Sequence, residues 1–410
     1  MNVHEEQHRH DFSGVISRRD VLKGSVALAA AWSAPAVAAP KEAGTILAYV
    51  GAYTPNGQGI YLFSMDTETG TLAQIKVAAA IQSPSWIAIH PNGQYLYAVN
   101  EISNFNGTTS GSVSAFSINR TTGDLAFLNV VSSQGGGPAH LSVDPLGQFV
   151  FVANYGGGSF AVLPITSNGS LANASFVQTD VDSVGPVHAT NAPPGSFAIS
   201  GHDAPHAHMI QADPAGKFVF GSDLGQDRIY SWTLNRAAGT LVTNTPAFVS
   251  VPPGDGPRHF AFHPNGRFFY SLQEEASTLL LFAYDPAHGS LTQQQMVSTL
   301  PPGFVGTNFT SEVRVSEDGK FVYAANRLHD SIAVFRVDDT TGDLTPVGEA
   351  WTRGDYPRSF TIDPTGRFLV SCNQRSDALT TYRLEGDGKK LTFTEQYTPV
   401  GNPAIIVFLT

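Results

Sequence analysis

Residues 256–275 read GPRHFAFHPNGRFFYSLQEE. Two short apolar runs, with Phe260 and Phe262 in the first and Phe268 and Tyr270 in the second, flank His263-Pro264-Asn265-Gly266. Proline holds φ near the value a type I turn needs at its second position and glycine suits the fourth, so the spacing predicts a β-hairpin. An antiparallel hairpin returns its ends to one place. Arg258 and His259 should therefore share a face with Gln273, Glu274 and Glu275, opposite the turn.

The plan recurs. Segments 83–100 (SPSWIAIHPNGQYLYAVN), 137–154 (GPAHLSVDPLGQFVFVAN), 205–223, 311–327 and 357–374 repeat it, with turn glycines at Gly93, Gly147, Gly216, Gly319 and Gly366 beside Gly266. A second marker, a glycine followed closely by leucine, recurs at Gly70, Gly123, Gly169, Gly239, Gly289, Gly342 and Gly388, at steps of 53, 46, 70, 50, 53 and 46. Further alternating runs such as 331–337 (SIAVFRV) give each unit room for four strands. Radially repeated four-stranded units of this length predict an all-β chain folded as a seven-bladed β-propeller. The seventh turn is missing because the chain is cut there: 401–409 (GNPAIIVFL) reads as a first strand and 45–53 (TILAYVGAY) as a second. The carboxyl-terminal strand should pair with the amino-terminal ones and close the ring without a free edge. The long step marks an insertion at 180–205, read as a loop on the mouth side rather than a domain.

Composition bounds the function. In 410 residues, Gly 40, Pro 26 and only 14% charged residues suit many turns and few solvent-facing helices. A net charge of −11 argues against non-specific nucleic-acid binding, which relies on lysine and arginine neutralising phosphates. The single Cys372 forbids an internal disulfide and a cysteine-based metal cluster. Ser17-Arg18-Arg19-Asp20-Val21-Leu22-Lys23, ahead of an Ala-rich run ending in Ala36-Val37-Ala38, resembles a twin-arginine export signal with a small-residue cleavage site. Residues 1–38 are expected to direct export through the twin-arginine machinery and then to be cleaved off. The mature 39–410 domain is then periplasmic or extracellular, without a membrane anchor, and monomeric.

In a propeller the ends of each inner hairpin opposite its turn gather around one mouth of the channel. That places His140 with Asn154, His206 and His208 with Asp223, Arg258 and His259 with Glu274, Glu312 and Arg314 with Asn326 and Arg327, and Arg358 with Asn373 and Gln374 near one funnel. The asparagines recur at one repeat position and also suit inter-blade hydrogen bonding. Charged side chains are scarce in this chain, and a concave, partly desolvated opening that collects them is where substrate sites arise. One carboxylate among arginines and histidines suits an acidic substrate handled by acid–base chemistry.

Taken together, Pro205-His206-Ala207-His208, Gly256-Pro257-Arg258-His259, Ser311-Glu312-Val313-Arg314, Asn326-Arg327 with 329–334 (HDSIAV), and Pro357-Arg358 with Asn373-Gln374 resemble the seven-bladed lactonase family. That family includes bacterial propeller-type 6-phosphogluconolactonases and fungal carboxy-cis,cis-muconate cyclase. The resemblance implies His208, Arg258, Glu274 and Arg327 as catalytic residues, and the repeat topology adds His206, His259, Arg314, Arg358 and Asn373 as candidates around the substrate. The glutamate motif, usually Asn-Glu-Leu, reads Gln273-Glu274-Glu275 here, and the 180–205 insertion is a second departure. The implied reaction is hydrolysis of a small acidic or sugar-derived lactone. Glu274, helped by His208, would activate water while Arg258 and Arg327 bind the acidic group and the developing oxyanion. A lactone cycloisomerase and a non-catalytic extracytoplasmic binding propeller are the rival expectations. No cofactor is expected. No metal is expected either: His188, His202, His206 and His208 cluster in sequence with Asp203 and Asp223, but at spacings that fit no zinc pattern.

Overall fold

The computed structural model describes residues 44–179, 184–198 and 201–410. The export-signal residues lie outside them, as do 180–183 and 199–200 of the insertion. The named strands form seven four-stranded antiparallel sheets. Six are consecutive meanders. The seventh pairs Pro403–Leu409 with Thr45–Ala52, Ile60–Asp66 and Leu72–Ala79, which joins the two ends of the chain as expected. The first strands of all seven sheets pack on one another in a closed circuit, so they line the axis and no blade has an open inner edge.

Burial follows the radius. Second strands such as Phe149–Asn154 (FVFVAN) and Phe268–Gln273 are buried on both faces between neighbouring blades, so they read as continuous apolar runs. Outer strands such as Leu72–Ala79 are mostly exposed. The glycine markers lock successive blades together. Gly342 has φ 79°, and a Cβ there would lie 2.7 Å from the Phe268 ring of the preceding blade. Its carbonyl accepts the Tyr270 hydroxyl at 2.9 Å. Tyr49 on Gly123, Tyr97 on Gly169 and Tyr323 on Gly388 repeat that bond. Each such buried hydrogen bond contributes about 1 kcal/mol.

On the mouth side a second device repeats. Asn100, Asn154, Asn326 and Asn373 end second strands, and each donates its amide to a carbonyl of the connection that enters its own blade: Gln82, Ser133, Thr299 and Thr352 respectively. The next residue in every blade donates its backbone N–H to that same connection. Those seven residues are Tyr53, Glu101, Tyr155, Leu224, Glu274, Arg327 and Gln374. A common backbone bond therefore fixes one side chain per blade at an equivalent place around the mouth.

Candidate active site at the channel mouth

Glu274 and Arg327 hold two of those seven positions. Arg258 joins them from the inner strand Pro257–Phe262, where the pairing slips between Pro257 and Phe260 so that Arg258 and His259 together oppose one residue of the partner strand. The extra residue of such a β-bulge breaks strict alternation. Adjacent side chains thereby both serve the axial side, Arg258 at the mouth and His259 deeper. The same slip follows Pro138, Ala207, Thr310 and Pro357 in other blades.

Glu274 Oε2 lies 2.9 Å from Arg258 Nε and 2.6 Å from Arg327 Nη2, and all three side chains are buried. Burial raises the Glu274 carboxyl, but Arg327 and then Arg258 outweigh it and hold the group below the usual carboxylate range. Burial, then Arg327, pulls Arg258 down to about 10. Burial opposes Arg327 too, yet Glu274 and Tyr356 leave it raised. Arg258 Nη1 also donates to the Ser311 carbonyl, and Arg327 Nη1 to the Tyr356 hydroxyl at 3.2 Å. The Arg327 guanidinium lies over the rings of Phe309 and Tyr356. Arg327 Nε is buried with no hydrogen-bond acceptor among the described residues.

His208 stands beside this set, edge-on to Tyr155 at 5.4 Å and to His259 at 5.1 Å. Burial, then Arg258, places its pKa well below the ordinary imidazole value, so it is neutral. On the other flank Arg358 sits 3.6 Å from Glu101 and over the Tyr53 ring, and the Tyr53 hydroxyl donates to Glu101 at 2.6 Å. Arg358 keeps 16% of its side chain exposed and is the most open arginine of the group.

Not every candidate is in this cluster. Asn373 is fully buried, its amide held by the Thr352 carbonyl and Thr380, so it works as an inter-blade tie. Arg314 lines a cavity of about 830 Å³ at the opposite, turn-side end of the channel, with Trp86, His140 and Glu312. His206 borders the mouth but is occupied: its ring stacks on Tyr155 at 4.2 Å, with Nδ1 on the Tyr155 carbonyl and Nε2 on Asp203. His259 lies below His208, paired through Nδ1 to Glu312 at 3.3 Å. The sequence-adjacent histidines disperse, His188 to the Ala198 carbonyl and His202 to Asp227. No metal-holding group of three or more such side chains occurs among the described residues. A separate cavity of about 770 Å³, walled by Pro193, Leu300 and Phe304, excludes the charged set. Sequence reasoning missed Tyr53, Glu101 and Tyr155. All three fall at the repeat position of Glu274, so aligning the residue after each second strand would have found them.

The fold and this charged mouth define an axial-site β-propeller, and the comparisons give its kind. Residues 47–408 match the family model described as lactonase, 7-bladed beta-propeller. The chain belongs to that family and is a lactone-hydrolysing enzyme. It is 35% identical over 364 residues to the 6-phosphogluconolactonase of Bacillus subtilis, covering 88% of this chain and 98% of the relative. A 6-phosphogluconolactonase of Formosa agariphila is 30% identical over 371 residues, covering 88% and 99%. The solved structure of a Pseudomonas aeruginosa periplasmic gluconolactonase superposes with a TM-score of 0.81 at 30% identity, covering 89% of this chain and 99% of that one.

Proposed function

We propose that the enzyme hydrolyses a free sugar lactone at the Arg258–Glu274–Arg327 mouth after export from the cytoplasm. The carrying observation is a carboxylate clamped between two arginines with the buried His208 beside them. With its Oε2 engaged by both guanidiniums, that carboxylate serves better to fix them than to take a proton. His208 Nε2 accepts the proton of the attacking water. The carbonyl oxygen becomes an oxyanion stabilised by the Arg258 and Arg327 guanidiniums, which Glu274 already holds in place. Collapse breaks the ring C–O bond, and the imidazolium returns its proton to the departing alkoxide, giving the hydroxy acid with one water added.

All three guanidiniums at the mouth already pair with carboxylates, Arg258 and Arg327 with Glu274 and Arg358 with Glu101, so no two are left to clamp a phosphate dianion, and a polyhydroxy lactone fits better. The Arg18-Arg19 motif and the periplasmic setting named for the Pseudomonas relative support the same choice. The test is kcat/KM on glucono-1,5-lactone against its 6-phosphate. A preference for the phosphate ester would overturn the substrate reading, and a product without added water would turn the reaction into cycloisomerisation. Fractionation of cells carrying Arg18→Lys and Arg19→Lys should show the protein retained in the cytoplasm. Unchanged export would remove the localisation.

A further inference from the structure

Below His208 the channel is filled. Trp86, His140 and His259 pack ring to ring, at 4.7 Å between Trp86 and His140, 5.0 Å between Trp86 and His259, and 5.5 Å between the two histidines. All are buried, and the hydrolysis outlined above uses none of them. Glu312 enters the stack from the next blade. Its Oε2 lies 3.3 Å from His259 Nδ1, and its Oε1 accepts the Val313 N–H at 3.2 Å. A carboxylate there makes Nδ1 the protonated nitrogen of His259, which leaves Nε2 a bare acceptor. His259 Nε2 is buried without a hydrogen-bond partner among the described residues, and so is His208 Nδ1. The two rings stand edge to face, 5.1 Å apart, in side chains more than nine-tenths buried. Two orphaned polar atoms on adjacent buried rings are costly unless they satisfy each other, and one water or a small ring rotation joins them.

We propose that Glu312 and His259 are positioning residues that set the tautomer of His208. Glu312 accepts from His259 Nδ1, His259 Nε2 accepts from His208 Nδ1–H directly or through a water, and the lone pair of His208 is thereby placed on Nε2, toward the mouth. Without this chain the imidazole is free to carry its proton on Nε2 and cannot take one from the attacking water there. No proton leaves the site: the chain fixes where one resides. Arg258, His140, Arg314 and Arg358 are the other charged or titratable groups acting on His259, and Arg314, Arg258 and His140 those acting on Glu312. The proposal rests on His208 as the base.

The test combines imidazole ¹⁵N NMR of the whole chain with kinetics on glucono-1,5-lactone. In the unaltered protein His208 should show the Nδ1–H pattern at neutral pH; an Nε2–H pattern overturns the proposal without any variant. His259→Phe keeps a ring against Trp86, and it should lower kcat by roughly 100-fold with KM within about twofold, the loss expected when a general base is mis-set. His259→Gln retains an acceptor for His208 and should recover part of that loss, and Glu312→Gln should shift His208 toward mixed tautomers. A His259→Phe enzyme with unchanged kcat, or with His208 still in its original tautomer, overturns the chain. His208→Gln separates the two ideas: if it stays active, the base assignment fails; if it is dead while His259→Phe is unimpaired, only the positioning chain fails.

Discussion

Glu274 and Arg327 occupy the same repeat position in successive blades, and their side chains meet at 2.6 Å. The seven-fold backbone plan thus delivers an acid and a base to one point from connections 53 residues apart. Arg258, from the bulged inner strand of the Glu274 blade, completes the group at 2.9 Å.

Replacing Glu274 by Gln removes the charge that holds both arginines. Turnover should fall by about 100-fold or more, the scale of a lost acid–base or charge partner. The fold should persist but lose about 3–5 kcal/mol, because two buried guanidiniums are left without compensation. Steady-state kinetics and a denaturant melt report the two effects. Turnover near that of the unaltered enzyme would remove Glu274 from the site.

Arg358 is the open member of the mouth, paired to Glu101 and stacked on Tyr53. Arg358→Met keeps the stem and deletes the donors. KM should rise roughly tenfold with kcat little changed, since the lost hydrogen bonds hold substrate equally in ground and transition states. A fall in kcat alone would place Arg358 in the chemistry instead.

Asn373→Ala tests the architectural reading of that residue. Its amide and its acceptors would go unpaired, at a cost of about 1–3 kcal/mol. KM and kcat should not move. Weaker substrate binding in a protein of unchanged melting temperature would return Asn373 to the site.

The buried histidines should make acid destabilising before the ordinary carboxylates titrate. Burial holds His140 down at about 3 and, together with Arg258, keeps His208 and His259 well below 6.5. These imidazoles are neutral when folded and protonated when unfolded, so the unfolded chain binds more protons and stability falls as pH drops from about 6.5 toward about 3. Glu274, raised by burial but lowered further by its arginines, adds the same sign in the acid carboxylate range. Asp255, pushed up to about 7 mainly by burial, and Glu312, raised mainly by burial, oppose the trend over the window just above the ordinary carboxylate pKa. Asp330, raised mainly by burial, is a third carboxyl of that opposing sign, so the imidazole contribution is read from how removing one histidine changes the pH slope of stability. His140→Phe should flatten it by about one proton, or ~1.4 kcal/mol per pH unit, in melts between pH 4.5 and 6. An unchanged slope would show that His140 titrates normally.

The hairpin signal was strong enough to specify the ring. Gly266 closes its turn onto the His263 carbonyl, and the equivalent glycines do so in each complete blade. The seven glycine–leucine markers give the blade count, and the apolar segments at the two ends give the closure. Candidate residues were legible to the extent that the repeat fixes backbone position: Glu274, Arg327, Arg258 and His208 stand at one mouth because every blade is built alike.

Periodicity alone could not tell which end of an inner strand a side chain serves. Arg314 faces the far cavity, whereas Arg258 faces the mouth beside a slipped register. Nor could it show that His206 is occupied by Tyr155 and Asp203, or that Asn373 is tied to Thr352. Local sequence determined the strands, the turns and the number of blades, because proline, glycine and apolar alternation act over a few residues. The ion pairs, the neutral histidines and the stack beneath them arise between side chains of different blades, and their charges and protons are set by desolvation and distance that exist only once the ring has closed.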